Sequence, residues 1–151
     1  HDDVPFAGMT AAQWHGVVDV SLTGFYNVAN PLMLPMIGTR WGRVIAITSV
    51  SAVMGNRGQV AYAAAKAGLH GAVRALSLEC ASRGVTVNAV APGVIDTPAT
   101  AGLMKREALA ALIPMKRAGK PAEVADLVAF LASDRAAYIS GQIISINGGM
   151  A

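Results

Sequence analysis

A short continuous apolar run, Arg43-Val44-Ile45-Ala46-Ile47-Thr48, and a second buried-strand candidate, Val85–Ala91, are separated by a long Ala- and Leu-rich stretch from Val60 to Arg83. A strand with one wet face alternates apolar and polar residues. A continuous apolar run instead reads as a strand buried on both faces, the habit of parallel sheets covered by helices. Parallel neighbours cannot be joined by a hairpin and need a crossover, usually a helix. The Val60–Arg83 stretch has the composition of that helix, and Gly84 stands where a left-handed C-terminal cap is expected. This pattern predicts an α/β fold built on a parallel sheet with right-handed crossovers.

The remaining segments fit the same plan. Thr10 followed by Gln13 reads as a capping box, opening a helical pattern from Ala11 to Ile37 that Pro31 and Pro35 are expected to kink or end early. Ser49–Gln59 reads as a loop containing Gly55 and Gly58. Pro92-Gly93 stops the second strand, and residues 94–120 look irregular apart from a short helix near Ala101–Leu112. Pro121 sits near the first position of a helix over Ala122–Ala132. Gln142–Ile146 is a third strand, ended by Asn147-Gly148-Gly149. There is no internal repeat and no low-complexity linker. Three strands leave sheet edges open that a doubly wound sheet covers, and His1-Asp2-Asp3-Val4-Pro5 reads as the middle of a loop. Residues 1–151 are therefore expected to form a partial single domain whose upstream part is missing.

Composition narrows the function classes. Hydrophobic residues make up 54% of the 151 and charged residues 14%, which excludes a disordered chain. No apolar stretch reaches the roughly 18 residues of a membrane-spanning helix. The formal net charge of +3 is mild, without the basic stripe and aromatics of a nucleic-acid binder. Neither a membrane nor a nucleic acid is expected as partner. Cys80 is the one cysteine, which fits a reducing, cytoplasmic setting. No His, Cys, Asp or Glu set has metal-ligand spacing, so no metal site is expected.

The chemistry starts at Tyr62 and Lys66, four residues apart and hence on one helix face. An ammonium about 5 Å from a phenol favours the phenolate by roughly 3 kcal/mol at an effective dielectric near 20, which suits proton exchange at working pH. A half-buried tyrosine beside a snorkelling lysine has the same spacing. Context adds Ser49, directly after a buried strand, where ligands gather in parallel sheets. Around the pair stand Ala61, Ala63, Ala64, Ala65, Ala67 and Gly68, small enough for a ligand or another helix to approach closely.

Ser49, Tyr62-Ala63-Ala64-Ala65-Lys66-Ala67-Gly68-Leu69 and Val87-Asn88-Ala89-Val90-Ala91-Pro92-Gly93-Val94-Ile95-Asp96-Thr97 occur in this order. With Ser140-Gly141-Gln142 and Ile146-Asn147-Gly148-Gly149, they resemble the short-chain dehydrogenase/reductase superfamily over nearly the whole chain. Within it, Met54-Gly55-Asn56-Arg57-Gly58-Gln59 and Ile113-Pro114-Met115-Lys116-Arg117 are most similar to the 3-oxoacyl-acyl-carrier-protein reductases of fatty acid biosynthesis. The resemblance implies the C-terminal part of a Rossmann-type doubly wound sheet and an NADP-dependent oxidoreductase, with NAD the alternative cofactor. It implies Tyr62 as proton donor, Lys66 on the nicotinamide ribose and Ser49 on the substrate oxygen. Pro92, Gly93, Ile95 and Thr97 would line the nicotinamide pocket. It also implies a homotetramer, or a homodimer, assembled through the two long helices and the last helix and strand. Arg40 and Arg83 would dock an acidic acyl carrier protein, with solvated surface charge as the plain alternative.

Two departures stand out. The family's glycine-rich pyrophosphate loop and its Asn-Asn-Ala-Gly segment are absent, so this chain alone is expected to be inactive. In the long helix Ser21, in Ser21-Leu22-Thr23-Gly24-Phe25, occupies the place of an Asn that helps hold a water for the lysine proton relay. A non-catalytic subunit that pairs with an active reductase is the competing reading. His15 and His70 are read as isolated surface or core residues, and Cys80 as a buried small hydrophobe. Leu103, Met104, Leu109, Leu112 and Met115 are candidates for an apolar lid, with ordinary packing as the alternative.

Overall fold

The computed structural model describes residues 3–98, 100 and 106–151. Its three strands, β1 (Gly42–Ile47), β2 (Val85–Pro92) and β3 (Ile143–Ile146), form one parallel sheet in the order β1-β2-β3. Val44 pairs with Val87 and Val90 with Ile144, so β2 is the middle strand and is buried from Val85 to Ala91. Even its two polar residues, Thr86 and Asn88, are buried.

Helices cover both faces. On one side Val85, Val87 and Ala89 pack with Val73 and Cys80 of α4 (Val60–Cys80) and with Phe25, Met33 and Met36 of α2 (Gly24–Thr39). On the other, Val90 and Ile144 pack with Leu127, Val128 and Leu131 of α6 (Pro121–Ala132). Asn88 is a fully buried polar residue in β2; its Nδ2 donates to the Ile139 carbonyl at 2.8 Å, and its Oδ1 accepts from the Gln142 amide at 3.1 Å. Both ends of the amide are satisfied, as burial demands, and the loop entering β3 is pinned to β2. β3 begins one residue later than its apolar pattern suggests.

The capping box forms as expected at α1 (Ala11–Val18). Of the two outcomes expected for Pro31 and Pro35, an early end is not seen, since α2 runs past both to Thr39. Both prolines lie inside α2 four residues apart on its exposed side, and the Asn27 carbonyl deprived of a partner by Pro31 lies on a wet residue. The interruption lies upstream, at the π-helical turn Asp19–Thr23 between α1 and α2. There the Gly24 amide reaches back to the Asp19 carbonyl, and the Thr23 hydroxyl donates to the Asp19 carboxylate at 3.1 Å. The Ser49–Gln59 segment is not all loop, since it winds one short helix, α3 (Ser51–Met54). The predicted helix near 101–112 appears as α5 (Arg106–Leu112). Gly84 has φ 73° and follows α4 and one 3-10 turn, the cap position anticipated for it.

Candidate active site at the carboxyl ends of the strands

Ser49 follows β1 by two residues, and Pro92 and Gly93 end β2, so the chain reversals at the carboxyl ends of both strands meet. The Thr48 amide donates to the Val90 carbonyl and the Val50 amide to the Pro92 carbonyl, each at 2.8 Å. Ser49 is thereby held between two anchored neighbours, and its Oγ accepts from the Ser51 amide at 3.1 Å.

Tyr62 stands in the first turn of α4 and forms a wall shared by two hollows. One, of about 550 Å³, is lined by Ser49, Gln59, Tyr62, Gly93, Leu112 and Met150 among others. The second, of about 490 Å³, is lined by Gln13, Val17, Val20, Ser21, Tyr62 and Lys66. Ser49, Tyr62 and Gly93 are thus brought together on one side of the phenol, and Ser21 and Lys66 on the other. The Lys66 ammonium lies 5.8 Å from the Tyr62 ring centroid and donates to the Ile47 carbonyl at 3.0 Å. Partial burial holds its pKa below that of an ordinary lysine.

The small-residue face of α4 is used for packing as well. A β-carbon on Gly68 would stand 3.0 Å from a Leu22 methyl, so this glycine admits the π-helical turn. Ser21, beside Leu22 in the same turn, lines the hollow next to Lys66.

The remaining predicted residues are more dispersed. A β-carbon on Gly93 would lie 2.9 Å from Asn147 Cα and Cβ and 3.1 Å from Met150 Sδ. What comes close to Gly93 is therefore the protein's own chain after β3. Ile95 pairs with Gly119 in an isolated parallel bridge and lines a separate hollow of about 370 Å³ with Val94, Met115, Arg117 and Glu123. The Thr97 hydroxyl lies 3.0 Å from that of Thr100. Of the lid candidates, Leu103 and Met104 lie outside the described residues, Leu112 lines the Ser49 cleft and Met115 the Ile95 hollow.

Arg40 and Arg83 precede β1 and β2, at the end of the sheet opposite Ser49. Arg40 adopts a left-handed backbone, φ 55°, and its Nη2 donates to the Ser82 carbonyl at 3.2 Å.

Sequence reasoning passed over Gln59. Its Oε1 accepts from the Ser51 hydroxyl at 3.0 Å, and its Nε2 donates to both Asp3 carboxylate oxygens, at 3.1 and 3.0 Å. Its place just before α4, three residues ahead of Tyr62, was the available signal. His70 was read as isolated, yet its Nε2 lies 3.1 Å from the Thr48 hydroxyl. Cys80 is buried as expected, its thiol donating to the Leu76 carbonyl at 3.0 Å.

No helix among the described residues is long and apolar enough to cross a membrane, and no group of His, Cys, Asp and Glu among them could hold a metal ion.

The family model described as enoyl-(acyl carrier protein) reductase matches residues 2–151. A 3-oxoacyl-(acyl-carrier-protein) reductase of Aggregatibacter actinomycetemcomitans is 48% identical over 149 residues, covering 98% of this chain and 62% of the relative. One from Pseudomonas aeruginosa is 51% identical over 140 residues, covering 91% and 57%. Nodulation protein G of a Rhizobium species is 47% identical over 148 residues, covering 97% and 60%. The chain spans about 60% of the length of the curated relatives it matches. Together with the parallel sheet and the Ser49, Tyr62 and Lys66 arrangement at its carboxyl edge, the match over nearly all residues shows that the chain belongs to the short-chain dehydrogenase/reductase family.

Proposed function

We propose that this chain is the carboxyl-terminal, catalytic part of an NADP-dependent reductase that converts the ketone of a 3-oxoacyl thioester to the 3-hydroxy form. The observation that carries the reading is the position of Tyr62 as the wall between the Ser49 cleft and the hollow of Lys66 and Ser21. A proton donor placed there can face a substrate oxygen on one side and be served by a cation on the other. The names of the relatives favour the thioester substrate, and Val50, Met54, Leu112 and Met150 give its cleft apolar walls for an acyl chain.

The residues present fit the nicotinamide-ribose end of the cofactor. Lys66 has three N–H donors and uses one on the Ile47 carbonyl, which leaves two for a ribose diol. The bridge to Gly119 uses the Val94 carbonyl and the Asp96 amide, so the Ile95 amide points the other way and would hold the nicotinamide carboxamide. Pro92, Gly93 and Thr97 complete that side. NADPH, when bound, supplies the hydride. Ser49 donates a hydrogen bond to the ketone oxygen and fixes its orientation. Tyr62 releases its phenolic proton to that oxygen as charge builds on it. The Lys66 charge stabilises the phenolate left behind, and Ser21 holds a water through which the proton is replaced.

We further propose assembly into a homotetramer, or a homodimer, through the two long helices and the last helix and strand. Arg40 and Arg83 would dock an acidic acyl carrier by charge. They lie a strand's length, about 20 Å, from Ser49, so the carrier they hold faces the opposite end of the same sheet.

The test is steady-state reduction of a 3-oxoacyl thioester by the full-length protein, with a parallel NADPH titration. Tyr62→Phe should lower turnover by orders of magnitude and leave cofactor binding intact, whereas Lys66→Ala should weaken both. Near-normal turnover in Tyr62→Phe would remove the acid role. A wild-type protein that never turns over yet co-purifies with an active reductase would favour the non-catalytic subunit.

A further inference from the structure

Two side-chain hydrogen bonds, one helical turn apart, run from α4 to the end of β1. Lys66 Nζ donates to the Ile47 carbonyl at 3.0 Å, and His70 Nε2 lies 3.1 Å from the hydroxyl of Thr48, the residue directly before Ser49. Thr48 is 3% exposed and ties three elements together. Its amide and its hydroxyl both donate to the Val90 carbonyl of β2, at 2.8 and 3.2 Å. The single hydroxyl proton is spent on Val90, so the imidazole is the donor and Thr48 Oγ1 the acceptor. Burial and the neighbouring Arg74 push the His70 pKa below that of an ordinary histidine, which favours the neutral ring, and the Thr48 acceptor selects the tautomer with its proton on Nε2.

Tyr62, Lys66 and His70 succeed one another at four-residue intervals and share one face of α4. The distance between that face and β1 sets how far the Tyr62 phenol stands from Ser49. We infer that His70 is a positioning residue for the reaction, clamping α4 to Thr48 so that Ser49 and Tyr62 converge on one substrate oxygen. Lys66 reaches β1 only at the Ile47 carbonyl, whereas His70 fastens Thr48, the residue next to Ser49. The inference rests on the Ser49, Tyr62 and Lys66 reading of the site. His70 touches neither substrate nor cofactor.

The experiment is a kinetic series on the full-length protein. His70→Leu removes the donor. His70→Gln returns an N–H at about the same reach, and Thr48→Val removes the acceptor while sparing the backbone bonds. Displacements of about 1 Å at a reacting pair cost up to about 100-fold, so kcat in His70→Leu should fall about tenfold, with KM for NADPH and thioester unchanged. His70→Gln should recover most of the rate. Thr48→Val should reproduce the loss, and the His70→Leu, Thr48→Val double variant should be no slower than either single one. Unchanged kcat in Thr48→Val, glutamine no better than leucine, or multiplying losses in the double variant would each overturn the inference. Tyr62→Phe is run alongside. If it still turns over, the site reading falls and takes the inference with it. If it is silent while the His70 and Thr48 variants run at full rate, the inference falls alone.

Discussion

The Arg117 guanidinium grips both carboxylate oxygens of Glu123, at 2.6 and 2.8 Å. The same carboxylate accepts from the Lys120 amide at 2.7 Å, so one side chain both caps α6 and fastens the segment that returns from the active-site edge. The bridge between Ile95 and Gly119 closes that segment just beside it. These bonds hold the Glu123 pKa down to about 2 from 4.5, the Arg117 hydrogen bond contributing most.

The direction of that shift sets a pH window. A carboxylate with a depressed folded-state pKa contributes stability that is present above its unfolded pKa and lost as pH falls through the folded one. The stability advantage of the wild type over Glu123→Gln should be full above about pH 4.5 and fade towards about pH 2. Denaturant midpoints of the two proteins across this range check it. The pair is exposed, so added salt should shrink the advantage at neutral pH as well. An advantage independent of pH would mean that folding does not depress the Glu123 pKa.

Gly84 yields a sharper contrast. Its φ is 73°, and a β-carbon there would overlap the Arg40 backbone carbonyl. The strained φ alone costs about 1–3 kcal/mol in a non-glycine residue, and the overlap must displace backbone. Gly71, on the exposed side of α4, has nothing within 4 Å of its would-be β-carbon. Gly84→Ala should therefore lower the melting temperature clearly. Gly71→Ala should hold or raise it, since alanine gains up to about 1 kcal/mol over glycine inside a helix. Equal effects from the two would show that the Arg40–Gly84 contact is not tight.

What was legible in the sequence was whatever burial writes directly. The segments at 43–48 and 85–91 became β1 and β2; β2, the middle strand, is buried from Val85 to Ala91, whereas β1 at the sheet edge is only half-buried and ends on an exposed Ile47. The Ala-rich stretch became α4 because it packs on them. That Ser49 stands at a strand end and Tyr62 beside Lys66 on one helix face was legible because strand end and helix periodicity are local properties. Other features depended on surroundings that spacing does not carry. Pro31 and Pro35 survive in α2 because water, not protein, meets that side. The π turn at Asp19–Thr23 is helical by every local measure, and only the extra residue in its register marks it. The space in front of Gly93 is taken by Asn147, more than fifty residues further on, as a contact between β2 and β3 requires. His70 looked isolated because its partner Thr48 lies on another element.

Ser21 lies within that π turn, half-buried, on the hollow it shares with Tyr62 and Lys66. The hollow, at about 490 Å³, has room for a longer side chain. Ser21→Asn should therefore keep or raise turnover in the full-length protein, because an amide reaches further towards a relay water, with melting temperature unchanged. A lower melting temperature would mean that the helix has adapted to serine. A large loss of rate at unchanged stability would contradict a relay role for this position.

The last prediction concerns assembly. Phe25, Tyr26, Ala29 and Met33 of α2 and Ala72 and Ala75 of α4 line a mainly apolar groove of about 330 Å³, which Asn30 and Glu79 also border. Val28, Leu32 and Leu78 stand exposed on the same two helices, at 68, 48 and 84%. Apolar surface gathered this way on one face is the mark of an interaction site, and the proposed assembly would cover it. Ala75→Glu puts a carboxylate into the groove at a position exposed in the single chain, so the subunit should fold normally. In the assembly that charge would be desolvated, at a cost of several kcal/mol when unpaired. Light scattering on the full-length protein should then give a smaller species for Ala75→Glu than for the wild type, with the same circular dichroism. An unchanged mass would place the assembly surface elsewhere and leave the groove without that role.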